Sequence, residues 1–275
     1  MKALISVDME GISGIVHSSE TNPERYDYQR GRELMTAEAN AVIAGVLDAE
    51  PTADVLVADA HGTFRNLLPE QLDRRARLVR GKPRALNMLA GLDAETDAAL
   101  FVGYHVRAGE GPGVLAHTMN GEILDVRVAG RSLGEIGLNA AMAGHLGVPV
   151  VLLSGDDAAC AEAADLIPGT VTVPVKEALG MAAAVTLHPE EARDRLRRAA
   201  ADAVSRRTEI PPLTLTGPLD VEVDLAGAHT IDLATLVPGV SRTAGARTVA
   251  FTVPDYGTAY RLILLLAQLA TIRPA

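Results

Sequence analysis

Apolar positions along the chain switch between two patterns. The short segments 3–7, 54–58, 98–103, 148–154 and 170–175 are rich in β-branched and aliphatic residues with little polar alternation, as expected of strands buried on both faces. Between them, 31–50 carries apolar residues at 34, 35, 39, 42, 43, 46 and 47, a helical spacing, and 134–146 and 158–166 read the same way. Strands alternating with helices predict βαβ units, hence an α/β fold in three layers, α/β/α, around a mainly parallel sheet. An antiparallel pair is expected around 123–128. The segment 208–218, dense in Pro, Thr and Gly, marks a linker. Beyond it the pattern strand, helix, strand, helix at 220–225, 230–237, 246–253 and 258–272 predicts a small C-terminal α+β region. The expected division is a catalytic, metal-binding α/β domain over 1–209 and the small region over 210–275.

Composition narrows the function classes. At 275 residues the chain buries a large core. Its apolar stretch 262–272 is broken by Gln268 and is too short to cross a bilayer, so it reads as a buried helix. Asp8 interrupts the first apolar run where a signal peptide would continue, and no export signal is expected. The single cysteine, Cys160, excludes an internal disulfide framework and a thiolate metal site, which fits a reducing compartment and a cytoplasmic location. A formal charge of −10 opposes phosphate backbones, and no Lys/Arg cluster interleaves with aromatics, so neither nucleic acid nor membrane is an expected partner. The arginine-rich run 193–207 has the spacing of a solvated helix face.

Any metal must therefore be held by histidines and carboxylates, and three predicted strands end in such residues. The first runs into Asp8 and Glu10, the second into His61, the third into His105. In an open α/β sheet the carboxyl ends of the strands converge on the ligand crevice. Two histidines with two carboxylates there make a mixed N/O site suited to zinc or another borderline first-row ion. A second ion needs one more carboxylate, and Glu135, opening an apolar-periodic helix, is the natural candidate. His117, in a glycine-punctuated loop, is a candidate for proton transfer or oxyanion stabilisation. Each residue also has a structural reading: Asp8 as a cap or ion-pair partner, Glu135 as a first-turn helix carboxylate, the histidines as satisfied loop or core groups. It is the matched placement after successive strands that favours chemistry. His17, His145, His188 and His229 read as structural.

The motifs at 6–14 (SVDMEGISG), 59–62 (DAHG), 103–105 (GYH), 116–119 (AHTM) and 134–140 (GEIGLNA) resemble, in that order, those of the bacterial zinc D-aminopeptidases associated with dipeptide-transport operons. The similarity extends to 31–40, 154–157 and 236–239, while the loop 20–27 departs from the family's version. The resemblance implies two zinc ions per subunit held by Asp8, Glu10, His61, His105 and Glu135, with Asp8 as the bridge and His117 in catalysis. It further implies a ring-like homodecamer and metal-assisted removal of an N-terminal D-amino acid, such as D-alanine, from short peptides or amino acid amides.

Two other readings compete. Asp8 followed much later by 155–157 (GDD) superficially resembles the acidic motifs of magnesium-dependent haloacid-dehalogenase-like phosphatases, but that reading wants an aspartate where Met9 and Glu10 stand and leaves His61 and His105 idle. A non-catalytic, metal-containing peptide-binding protein is the second.

Overall fold

The computed structural model describes residues 1–243 and 247–272. In chain order its strands are β1 (Lys2–Val7), β2 (Asp54–Asp59), β3 (Arg77–Val79), β4 (Ala98–Val102), β5 (Ile123–Val128), β6 (Arg131–Ser132), β7 (Val150–Asp156), β8 (Val171–Gly180), β9 (Ala183–Thr186), β10 (Leu219–Leu225), β11 (Ser241–Arg242) and β12 (Thr248–Val253). Its α-helices are α1 (Ser18–Thr21), α2 (Tyr28–Ala49), α3 (Glu135–His145), α4 (Asp157–Leu166), α5 (Pro189–Ser205), α6 (Ala228–Ala234) and α7 (Tyr256–Leu269). The expected strand 246–253 begins at a residue outside the described ones.

Seven strands form a sheet in the order β3-β2-β1-β4-β7-β8-β9, parallel except for the β8–β9 hairpin. The chain lays β2 and β3 on one side of β1, then returns to lay β4 and β7 on the other. Its strand order therefore reverses between β1 and β4, where the outgoing loops diverge and leave a crevice. Register sharpens the point: Val7 pairs with Asp59 on one side and with Val102 on the other, so three strands end level.

Both faces of this sheet are covered, which is why its strands read as unbroken apolar runs. Ala3, Ile5 and Val7 join one core layer with Val42 and Val46 of α2 and Leu196 and Ala203 of α5. Leu4 and Phe101 face the opposite layer, built by α3, α4, α7 and a second sheet. That sheet, in the order β11-β12-β10-β5-β6, is antiparallel throughout. Strand β10, beyond the expected linker 208–218, pairs with β5 from before it. Alternation along β10 is that of a one-faced strand: Leu219, Val221, Val223 and Leu225 are buried, while Glu222 and Asp224 reach out to ion pairs with Arg127 of β5 at 2.8 Å each.

Sequence and structure differ most at β8. The expected strand 170–175 continues to Gly180 and folds back as β9. Pro174, which has no N–H to give a ladder, pairs with Gly155 beside a register shift, the irregular position at which a strand proline is tolerated. Among the described residues no helix is long and apolar enough to cross a membrane.

Candidate metal centre

Asp8, Glu10, His61 and His105 follow strand ends, each placed by the backbone around it. Asp8 N donates to Val102 O at 2.8 Å, and Gly11 N to Gly103 O at 2.8 Å, binding the loop after β1 to that after β4. The two loops touch so closely that a Cβ on Gly11 would lie 2.0 Å from Tyr104 O, and Gly103 has φ +69°, a region that favours glycine. After β2, the Asn66 amide donates to Asp59 Oδ1 at 2.7 Å and to His61 O at 2.6 Å, holding the turn that presents His61. Glu135 arrives from another layer, as the first residue of α3, where the helix dipole favours a carboxylate. Its Oε1 accepts from Met119 N at 2.7 Å.

The side chains meet in one buried cluster. His61 Nδ1 stands 3.0 Å from Glu10 Oε2 and 3.3 Å from Asp8 Oδ1. His105 Nε2 stands 3.5 Å from Asp8 Oδ2 and 3.3 Å from Glu135 Oε1. The two oxygens of Asp8 thus face two different histidines. His117 Nε2 lies 3.7 Å from Glu135 Oε1, and its ring stacks on His105 with centroids 4.0 Å apart. By contrast His17 and His188 cap helices, and His229 bonds Ile272 O.

One nitrogen of each clustered histidine is committed to a backbone carbonyl: His61 Nε2 to Thr21 O, His105 Nδ1 to Val106 O and His117 Nδ1 to Leu115 O. A carbonyl only accepts, so these nitrogens carry hydrogen and the opposite nitrogens turn toward the carboxylates. That is how ligating histidines are held in metal sites.

Charge tells the same story. Burial pushes the Asp8 carboxyl up to about 7, helped by the Glu10 charge. Burial would raise Glu10 and Glu135 too, but the imidazoliums of His61 and His105 outweigh it and hold both below the usual carboxylate range. Burial disfavours a charged His105, yet Glu135 and Asp8 overcome this and push it up to about 10; Glu10 and Asp8 likewise lift His61 well above its ordinary value. Burial and the charge of His105 keep His117 below its ordinary value. Three buried carboxylates demand nearby positive charge, which protons on two histidines supply here.

These residues fit a metal. His105 Nε2 is buried and has no hydrogen-bond partner although it faces two carboxylates. Donors about 2.0–2.1 Å from a tetrahedral ion lie roughly 3.3 Å from one another, and the separations of 3.0–3.7 Å cluster around that value. Asp8, Glu10 and His105 form one group with donor atoms within 4.8 Å of one another, and His105, His117 and Glu135 form a second. His117 therefore stands within ligand range, beyond the proton-transfer role expected from sequence.

Two residues that pattern analysis passes over hold the Asp8–Glu10 loop. Buried Lys176 donates through Nζ to Glu10 O at 2.5 Å, Ile12 O at 3.0 Å and Ile15 O at 2.5 Å. Buried Glu38 accepts from Ser13 N at 2.8 Å through Oε1, while its Oε2 has no donor. Lys176 directly follows the expected end of a strand at 175, a place where lysine ordinarily reaches solvent. Beside the cluster lies a cavity of about 130 Å³, lined among others by Asp8, His61, His117, Glu135 and Lys82.

Comparison with known proteins bears on this centre. A family model described as D-aminopeptidase, Peptidase_M55, matches residues 1–265. A D-aminopeptidase of Bacillus subtilis (strain 168) is 37% identical over 270 residues, covering 98% of each chain. A solved structure described as the Zn-dependent D-aminopeptidase DppA from Bacillus subtilis, a self-compartmentalizing protease, superposes with a TM-score of 0.96 at 36% identity, covering 100% of both chains.

Proposed function

The chain belongs to the Peptidase_M55 family of D-aminopeptidases, and from that premise we propose that it is a zinc-dependent aminopeptidase releasing an N-terminal D-amino acid, such as D-alanine, from short peptides or amino acid amides. The observation that carries this reading is Asp8, whose two oxygens face His61 and His105 separately. Asp8, Glu10, His61, His105 and Glu135 would hold two zinc ions there. Zinc held there supplies Lewis-acid polarisation of the scissile carbonyl and lowers the pKa of water.

The chain's own residues do the rest. Asp8, Glu10 and Glu135 offset the charge of the ions, and the backbone bonds of the three histidines fix which nitrogen faces the centre. His117, tied through Nδ1 to Leu115 O and held neutral by burial, presents Nε2 as a proton acceptor. It takes the proton of the attacking water at Nε2 and returns it to the departing amine. The solved relative is described as self-compartmentalizing; this chain is assigned a homo-oligomeric state, a decamer, with the exposed Leu179, Met181 and Val185 around the β8–β9 hairpin as contact candidates.

One purified sample tests these statements. Zinc near two per chain, release of D-alanine from D-alanyl-D-alanine but not of L-alanine from the L,L-dipeptide, and scattering from a species far larger than 28.8 kDa are expected. A magnesium-dependent phosphatase activity without amide hydrolysis would replace the reading, and a fully active monomer would remove the oligomer.

A further inference from the structure

The cavity beside the cluster is uneven in charge. Its lining holds the buried carboxylates of Asp8 and Glu135 and the exposed Lys82, the one Lys or Arg among the described residues that line it. Lys82 has no carboxylate partner among the described residues, and its recorded hydrogen bond runs from Nζ to Gly62 O at 2.9 Å, next to His61. An ammonium carries three donors, so two remain to be used.

Lys82 is also held in place. Its Nζ lies 5.5 Å from the centroid of the Phe64 ring, a cation–π distance. Gly81 N donates to Phe64 O at 2.6 Å, and Arg84 packs over the same ring at 4.0 Å while donating to Asn87 O at 2.7 Å. The loop bearing Lys82 is thereby tied to the turn bearing His61. A side chain so anchored loses little freedom on binding a ligand.

We propose that Lys82 receives the free C-terminal carboxylate of the substrate, making a short zwitterionic peptide, a dipeptide above all, the preferred substrate of this pocket. The inference rests on the aminopeptidase reading above. The clustered donors handle the scissile amide, and a fully extended dipeptide spans only about 7 Å, a short reach that suits a cavity of about 130 Å³ whose lining holds both the clustered carboxylates and Lys82. An amide or ester of the same amino acid lacks the carboxylate and gains nothing from Lys82.

The test compares zinc-loaded wild type, Lys82→Met and Lys82→Arg on D-alanyl-D-alanine and on D-alaninamide. Methionine keeps an unbranched side chain of similar length and removes the charge. We expect the KM for the dipeptide to rise about tenfold or more in Lys82→Met, the scale of one charge-assisted hydrogen bond, with kcat changed far less. D-alaninamide should be hydrolysed within about twofold of wild type by both variants, and Lys82→Arg should recover part of the dipeptide KM. Equal losses on both substrates would make Lys82 a structural pin of the Gly62 turn and overturn the proposal, as would an unchanged dipeptide KM. Should wild type hydrolyse neither compound, the aminopeptidase reading fails by itself. Calorimetric binding of the same two compounds then decides: selective weakening of the dipeptide in Lys82→Met supports the carboxylate site, and no selective change refutes it.

Discussion

Glu38 offers a quantitative check on how the loop carrying Asp8 and Glu10 is held. Its carboxyl lies buried beneath that loop with one oxygen on Ser13 N and the other without a donor. Burial pushes it up to about 7 from 4.5, against the opposing Ser13 amide and the more distant charges of Lys176 and Arg193. Between those two pH values the folded chain keeps a proton on Glu38 that the unfolded chain releases. The proton-linked stability is therefore fully present below pH 4.5 and is lost as pH rises through about 7. A rise of that size corresponds to about 3 kcal/mol. Glu38→Gln keeps an acceptor for Ser13 N and cannot ionise, so it lacks this loss. Urea unfolding of metal-free wild type and variant, at steps from pH 4.5 to 8, reads the difference, from which titrating groups not coupled to Glu38 cancel. The variant should gain about 3 kcal/mol relative to wild type across the range, with unchanged m-values. A difference that stays flat with pH, or moves the other way, would refute the reasoning.

Lys176→Met leaves three buried carbonyls without their shared donor and should lower stability by about 3 kcal/mol; it should also release zinc at lower chelator concentration than wild type, and a variant within about 0.5 kcal/mol that retains its zinc would show that the lysine does not hold the loop. Asp8→Ala should lose both zinc and activity, because two cations would face each other with less compensating charge. His117→Ala should keep its zinc while kcat falls by roughly 10²–10⁴, and zinc loss there as large as in Asp8→Ala would make His117 a ligand instead.

Much of this arrangement was legible because parallel strands covered on both faces are apolar throughout, so chelating residues just beyond each run mark a strand's carboxyl end. Asp8, His61 and His105 stand out for that reason, and the antiparallel pairing expected around 123–128 is found there as β5, which pairs with β6 and β10. Pairing of β10 with β5 was not legible, since 91 positions separate Val128 from Leu219 and no local pattern encodes a partner so far away. Lys176 and Glu38 were hidden for another reason. Periodicity treats charged residues as solvent-facing, and their burial depends on a loop from elsewhere supplying carbonyls and an amide. Lys82 lies in an irregular loop where only the fold reveals a neighbouring cavity.

The order in which the chain is made meets the arrangement of the centre in a further way. Asp8, Glu10, His61, His105 and Glu135 have all been synthesised once residue 135 is added, yet Lys176, which holds the first two in place, follows 41 positions later (176 minus 135). At about 5–20 residues per second this leaves several seconds in which a growing chain owns every donor but lacks the strand that fixes their spacing. The loop bearing Asp8 and Glu10 thus waits for β8, which brings the Lys176 ammonium to its carbonyls.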